Sequence, residues 1–69
     1  MLRWFPRRRR VRLHFADNRP TLQGVLVGCY GGHYILEQAS LLEARDRTVN
    51  LSGHAEVPRE TVFFVQVNP

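Results

Sequence analysis

The chain has 69 residues, a formal net charge of +4 and a single cysteine. A chain of this length forms one domain with a small core, and such domains are usually stabilised by disulfides, a metal or oligomerisation. Cys29 alone excludes an internal disulfide, and His14, His33 and His54 share no zinc-ligand spacing with it. We therefore expect no metal and no cofactor, and we expect stabilisation by oligomerisation or by docking into a larger assembly.

Residues 1–9 are predicted to form a basic and aromatic arm. Six of the ten arginines lie in the first twelve residues, where there is no acidic residue, and the chain has no lysine. An arm of this kind can neutralise phosphates and stack on bases, pair with carboxylates of a protein partner, or lie at a membrane surface. A solvated tail is the fourth alternative.

The hydropathy pattern gives no sign of a membrane-spanning segment. No apolar run approaches the roughly 20 residues that cross a bilayer, and the arginines follow the short N-terminal apolar stretch instead of preceding it as in a signal peptide. We expect a soluble, cytoplasmic protein in which membrane binding is the least favoured of the three partner classes.

From residue 10 onward the pattern changes to the period of two that is typical of strands, and we assign residues 10–69 to one domain. Val11, Leu13 and Phe15 predict the first strand, and the turn residues at 17–20 end it. The second strand is predicted over Thr21–Cys29, where two glycines indicate sharp bends or close backbone approach.

The rest of the domain continues as short strands separated by turns. A third strand is predicted from His33 through a bulge into Leu41 and Leu42, and the following predicted features are a turn at 45–47, alternation at 49–57 with a break at 52–53, a tight turn at 58–61 and a final strand over 62–67. Short strands without a helix longer than a turn predict an all-β barrel or sandwich.

This order of elements resembles the Sm-like (LSm)/SH3-like family of small β-barrels. The matching segments are Val11-x-Leu13, Gly24-x-Leu26, Tyr34–Ala39, Val57–Val62 and Phe63–Val67, within residues 10–67. The resemblance implies a strongly bent, five-stranded antiparallel barrel of the kind that closes into rings through its edge strands. It also extends to accessory structural proteins of tailed phages, in which the barrel is an adaptor and a terminal arm reaches a neighbouring subunit.

Two loops depart from the RNA-binding members of that family. Those members hold a uridine with an Asp-x-x-Met-Asn loop and an Arg-Gly pair, whereas this chain has Tyr30-Gly31-Gly32-His33-Tyr34 and Pro58-Arg59. Uridine recognition of the family type is therefore not expected. Arg12, His33 and Arg59 are the candidates for a nucleic-acid contact of another kind.

We expect a non-catalytic structural adaptor in a multi-subunit particle, with a phage virion (a capsid-, portal- or connector-associated protein) as the first choice. No pair of titratable groups or nucleophile with a partnered histidine predicts a catalytic site. The partners expected are subunits of a larger assembly or copies of this chain. The alternative is an Sm-like nucleic-acid-binding protein that uses the arginine-rich arm. The predicted partner-binding residues are Leu2, Trp4, Phe5, Arg7, Arg8, Arg9, Arg10, Phe63, Val65 and Val67.

Overall fold

The computed structural model describes residues 1–16, 19–43 and 47–68. These residues are almost entirely β-structure, as the alternating pattern predicts. The strands are β1 (Arg3–Phe15), β2 (Thr21–Tyr30), β3 (His33–Glu43), β4 (Arg47–Asn50), β5 (His54–Pro58) and β6 (Val62–Val67), with a 3₁₀ turn at Arg59–Thr61 before β6. The residues predicted to form turns at 17–18 and 45–46 lie outside the described parts of the chain. No described helix is long and apolar enough to cross a membrane.

All six strands belong to one antiparallel sheet with the order β4-β3-β2-β1-β6. β3 is long enough to pair with two strands on one side, because Ser40–Glu43 pairs with β4 and His33–Glu37 pairs with β5. The alternation predicted at 49–57 is thus divided between two short strands, and the strand count is six where five were predicted. Within the described residues no ladder joins β5 to β6, so the sheet is open and a closed barrel is not confirmed.

The bulge predicted in β3 is present and lies opposite Gly24. Gln23 pairs with Ser40 and Val25 pairs with Glu37, so two residues of β3 face one residue of β2. Gln38, one of these two, has a φ of 53°, the left-handed conformation that lets a strand bend at a bulge.

The core lies on one face of the sheet and is small. Its buried members are Val11, Leu13, Leu22, Leu36, Ala39 and Val57, and Phe15, Leu26, Tyr34, Leu41, Ala55, Val62 and Val65 pack against them. The alternation of β1 places Val11 and Leu13 in this core, as predicted from the sequence.

The predicted arm is continuous with the first strand. Arg3 pairs with Cys29 and Trp4 pairs with Gly28, so β1 begins seven residues before the predicted strand and reaches the far end of β2. Residues 5–8 leave the ladder between Trp4 and Arg9. Pro6 lies in this interruption, where its missing N–H removes no ladder hydrogen bond. The division into an arm and a domain at residue 9 stays a prediction.

Candidate functional site

The two aromatic residues of the arm lie on opposite faces of the sheet. Trp4 is paired with Gly28 and lies over it, on the face opposite the core. Phe5 lines a groove on the core side together with Val11, Leu26 and Val65. The sequence grouped Trp4 and Phe5 as one docking element, whereas the structure gives each a different surface.

The Trp4 side of the sheet carries a shallow groove that we call the acidic groove. The register aligns Trp4, Gly28, Ile35 and Glu56 across β1, β2, β3 and β5, and residues opposite one another share a face. The groove has a volume of about 290 Å³, and the residues lining it are Leu2, Trp4, Tyr30, Ile35, Glu37, His54 and Glu56. Ile35 is buried and forms its floor, whereas Trp4 and Tyr30 are exposed.

One ion pair and one histidine–carboxylate hydrogen bond lie at the rim of the acidic groove. Arg8 Nη1 is 3.5 Å from Glu37 Oε2, and His54 Nε2 is 3.3 Å from Glu56 Oε2. All four side chains are about half exposed or more. Exposed pairs of this kind contribute about 0–1 kcal/mol, so both carboxylates can exchange their partners at little cost.

A second surface, the basic face, lies on the same side of the sheet along β1 and β6. Arg10, Arg12 and His14 alternate outward, and His14 and Arg12 pair with Phe64 and Gln66. The His14 and Phe64 rings stack with centroids 4.3 Å apart, and His14 Nε2 is 2.9 Å from Gln66 Oε1. Arg12 Nε is shielded from solvent and has no hydrogen-bond partner among the described residues.

A third surface, the turn cleft, brings together two of the predicted nucleic-acid contacts. The β2–β3 turn and the 3₁₀ turn are joined by a hydrogen bond from Arg59 N to Gly32 O of 2.9 Å. His33 lines the resulting cleft of about 530 Å³, and the Arg59 guanidinium carbon lies 5.8 Å from the centroid of the Tyr34 ring. Arg12, the third predicted contact, lies on the basic face instead.

The last strand exposes apolar side chains along a free edge. Phe63, Phe64 and Val67 are 72%, 49% and 48% exposed, and β6 contains no charged residue. β6 pairs with β1 along one edge, and no described strand pairs with its other, outer edge. Val65 faces the core opposite Leu13. The alternation predicted that Phe63 shares a face with Val65 and Val67. Phe63 instead lies at a register shift, between the paired residues Val62 and Phe64.

The core-side groove connects β6 with the arm. It has a volume of about 410 Å³ and is lined by Phe5, Pro6, Arg7, Arg9, Val11, Leu26, Val65 and Val67. Five of the predicted partner-binding residues therefore meet in one groove. Leu2 and Trp4 line the acidic groove, and Arg8 and Arg10 lie beside it or on the basic face.

The sequence did not single out Tyr30, Ile35, Glu37, His54 and Glu56, which complete the acidic groove. The spacing of His54 and Glu56, two apart in a strand, places both on one face, but their proximity to Trp4 depends on the pairing of four strands. No group of three or more metal-ligating side chains occurs within residues 1–16, 19–43 and 47–68. The chain matches no protein-family model, no curated protein and no solved structure.

Proposed function

We propose that this chain is a non-catalytic structural adaptor that docks onto other protein subunits of a multi-subunit particle, with a tailed-phage virion as the first choice. The observation that carries the proposal is the outer edge of β6. An uncharged strand with exposed phenylalanines and unpaired backbone groups is a template for pairing with another chain. Natural edge strands that stay unpaired are usually protected by charged residues, by prolines or by short length. β6 contains neither a charged residue nor a proline.

The core-side groove supports the same function at the arm. Phe5 and the β6 valines supply apolar surface, and Arg7 and Arg9 lie at the same groove. Arginines beside apolar side chains are typical of protein interfaces, because the guanidinium pairs with carboxylates while the stem packs. A subunit that pairs with β6 would meet this groove at the same time.

The proposal includes the fold that the sequence resembles, a strongly bent barrel. Its support is that β6 returns to pair with β1, that a 3₁₀ turn separates the last two strands, and that bulges in β1, β2 and β3 bend the sheet. The interval between β5 and β6 is where a partner strand would complete the barrel.

The test is incorporation of a Phe63→Lys variant into the assembled particle. Phe63 is the most exposed apolar residue of β6, and a lysine there places a charge on the edge without removing a buried side chain. Expressed in cells where the particle assembles, the variant should be at least about tenfold depleted from particles separated by gradient centrifugation, the loss expected for about 1.4 kcal/mol of docking energy.

The matched control is Ser52→Lys, which adds the same charge at an exposed position outside the strands. Both variants should retain the circular dichroism spectrum of the parent protein, and Ser52→Lys should be incorporated at the parental level. Incorporation of Phe63→Lys at that level would show that the β6 edge is not the docking surface.

A second candidate function is nucleic-acid binding, which the basic face favours. Arg10 and Arg12 lie in line with the exposed His14–Phe64 stack, so charge for phosphates and a ring for bases occur on one surface. The turn cleft adds His33 and Arg59. The adaptor function has priority because nucleic-acid binding does not explain the exposed Phe63 or the free edge of β6.

A further inference from the structure

We propose that the acidic groove is a socket for an arginine side chain of a partner protein. The inference rests on the proposed docking function and names the chemistry that the partner must present at a surface separate from β6. The groove combines two exposed aromatic rings, Trp4 and Tyr30, with two carboxylates, Glu37 and Glu56, around the buried side chain of Ile35.

Charge is the first argument for this occupant. The chain carries a net charge of +4, yet two of its six acidic residues meet in this groove. Glu37 and Glu56 are diagonal neighbours across β3 and β5, since Glu37 pairs with His54 and Ile35 pairs with Glu56. A cation placed between them is attracted by both, whereas the rest of the molecule repels it.

Shape separates arginine from other cations. The arginine stem can pack along Ile35 and Leu2, the planar guanidinium can lie against the Trp4 or Tyr30 ring, and its N–H groups match a carboxylate bidentately. A lysine ammonium lacks the planar fork. The groove is shallow and its volume of about 290 Å³ is at the lower limit of pockets that enclose small molecules, which favours a side chain presented by a neighbouring surface.

The chain's own Arg8 shows that the rim accepts a guanidinium. Its Nη1 lies 3.5 Å from Glu37 Oε2, but Arg8 remains 67% exposed. An interaction this exposed is weak. A partner arginine that also packs on the aromatic rings would therefore displace Arg8 from Glu37.

The test uses the intrinsic fluorescence of Trp4, the only tryptophan of the chain. The purified full chain is titrated with the peptide acetyl-Val-Arg-Val-amide and, separately, with the same peptide carrying citrulline, which keeps the shape of arginine and removes its charge. The arginine peptide should change Trp4 emission in a saturable manner, with an affinity at least about tenfold above that of the citrulline peptide, as expected for a charge-assisted pair.

Three variants with the same loss of one negative charge assign the effect to the groove. Glu37→Gln and Glu56→Gln should each lower the affinity for the arginine peptide several-fold. Glu60→Gln should leave this affinity unchanged, because Glu60 lines the turn cleft. Equal affinities for the arginine and citrulline peptides, no response of Trp4, or equal effects of all three substitutions would overturn the socket.

The outcome is independent of the β6 test. Phe63→Lys should bind the arginine peptide as the parent protein does, because Phe63 lies on a strand that does not line the groove. Loss of particle incorporation in Phe63→Lys together with an unresponsive Trp4 would therefore retain the adaptor function and remove the arginine socket.

Discussion

Gly28 fixes the position of Trp4 and with it one wall of the acidic groove. A Cβ on residue 28 would lie 2.3 Å from the Arg3 carbonyl oxygen and 3.1 Å from Cε3 of the Trp4 ring. The backbone of β1 can approach β2 at this point only because residue 28 has no side chain. The close approach of the β1 backbone therefore explains why a glycine occurs at this position of an apolar strand.

We predict that Gly28→Ala separates the N-terminal part of β1 from β2. The added methyl group overlaps backbone, which cannot move aside as a side chain can, so the free energy of unfolding should fall by about 1–3 kcal/mol. Urea unfolding measures this change, and the emission of Trp4 should shift to the red as the ring becomes more exposed to water.

Gly31→Asn is the control for that substitution. Gly31 has nothing within 4 Å of its Cβ position, and asparagine tolerates its φ of 54°. Its unfolding midpoint and Trp4 emission should stay close to those of the parent. Parental values in Gly28→Ala would contradict the close approach of Arg3 to residue 28.

The bulge in β3 lets one strand pair with both β4 and β5. Gln38 lies between the segment that pairs with β5 and the segment that pairs with β4, and it has the positive φ of a bulged residue. A non-glycine residue in this conformation costs of order 1–3 kcal/mol, which the pairing on both sides of it must offset.

We expect two substitutions at this bulge to change the free energy of unfolding in opposite directions. Gln38 is exposed, so its side chain contributes little packing. Gln38→Gly should raise the free energy of unfolding by about 0.5–1 kcal/mol, because the strain removed exceeds the entropy that glycine adds to the unfolded chain. Gln38→Val should lower it by about 1–2 kcal/mol, because a β-branched residue disfavours positive φ.

Urea unfolding of the three proteins tests the bulge. Equal unfolding midpoints for the glycine and valine variants would show that residue 38 is not held at positive φ in solution. A change of m-value without a change of midpoint would point instead to an effect on the unfolded chain.

Local pattern predicted the strands of the molecule well, and it predicted its surfaces only in part. Alternation placed Val11 and Leu13 in the core, and the run from His33 to Leu42 predicted the β3 bulge, because both depend on neighbours in the chain. The acidic groove assembles residues 4, 35 and 56 through the registers of three strand pairs. Register depends on close approaches such as that at Gly28. The sequence indicated a bend or a close approach at this glycine, but not which backbone lies against it.

The arm was predicted as a binding segment and not as part of a strand. Because Trp4 and Phe5 are consecutive residues of β1, they lie on opposite faces of the sheet. The strand count of five was what the family resemblance implied, and the sequence predicted one alternating stretch over 49–57 with a break at 52–53. Gly53, with a φ of 78°, instead separates β4 from β5.

The whole molecule has a small core, and its sheet ends in one edge at β6 and another at β4 and β5. These two features determine the expected solution state. Only eight hydrophobic side chains are buried among the described residues, so a single copy has modest stability. Self-pairing through the edges would yield a ring of copies of this chain. The proposed adaptor instead leaves β6 for the surface of a different subunit.

We therefore predict that the purified, nuclease-treated protein is a monomer of 8.0 kDa by light scattering behind a sizing column. An adaptor whose partner is a different subunit has no reason to close on itself, and at low concentration its edge remains unoccupied. A discrete ring of several copies would contradict this, because β6 would then be occupied by the chain itself. Such a ring, particularly one that retains nucleic acid before nuclease treatment, would give nucleic-acid binding through the basic face priority over the adaptor function.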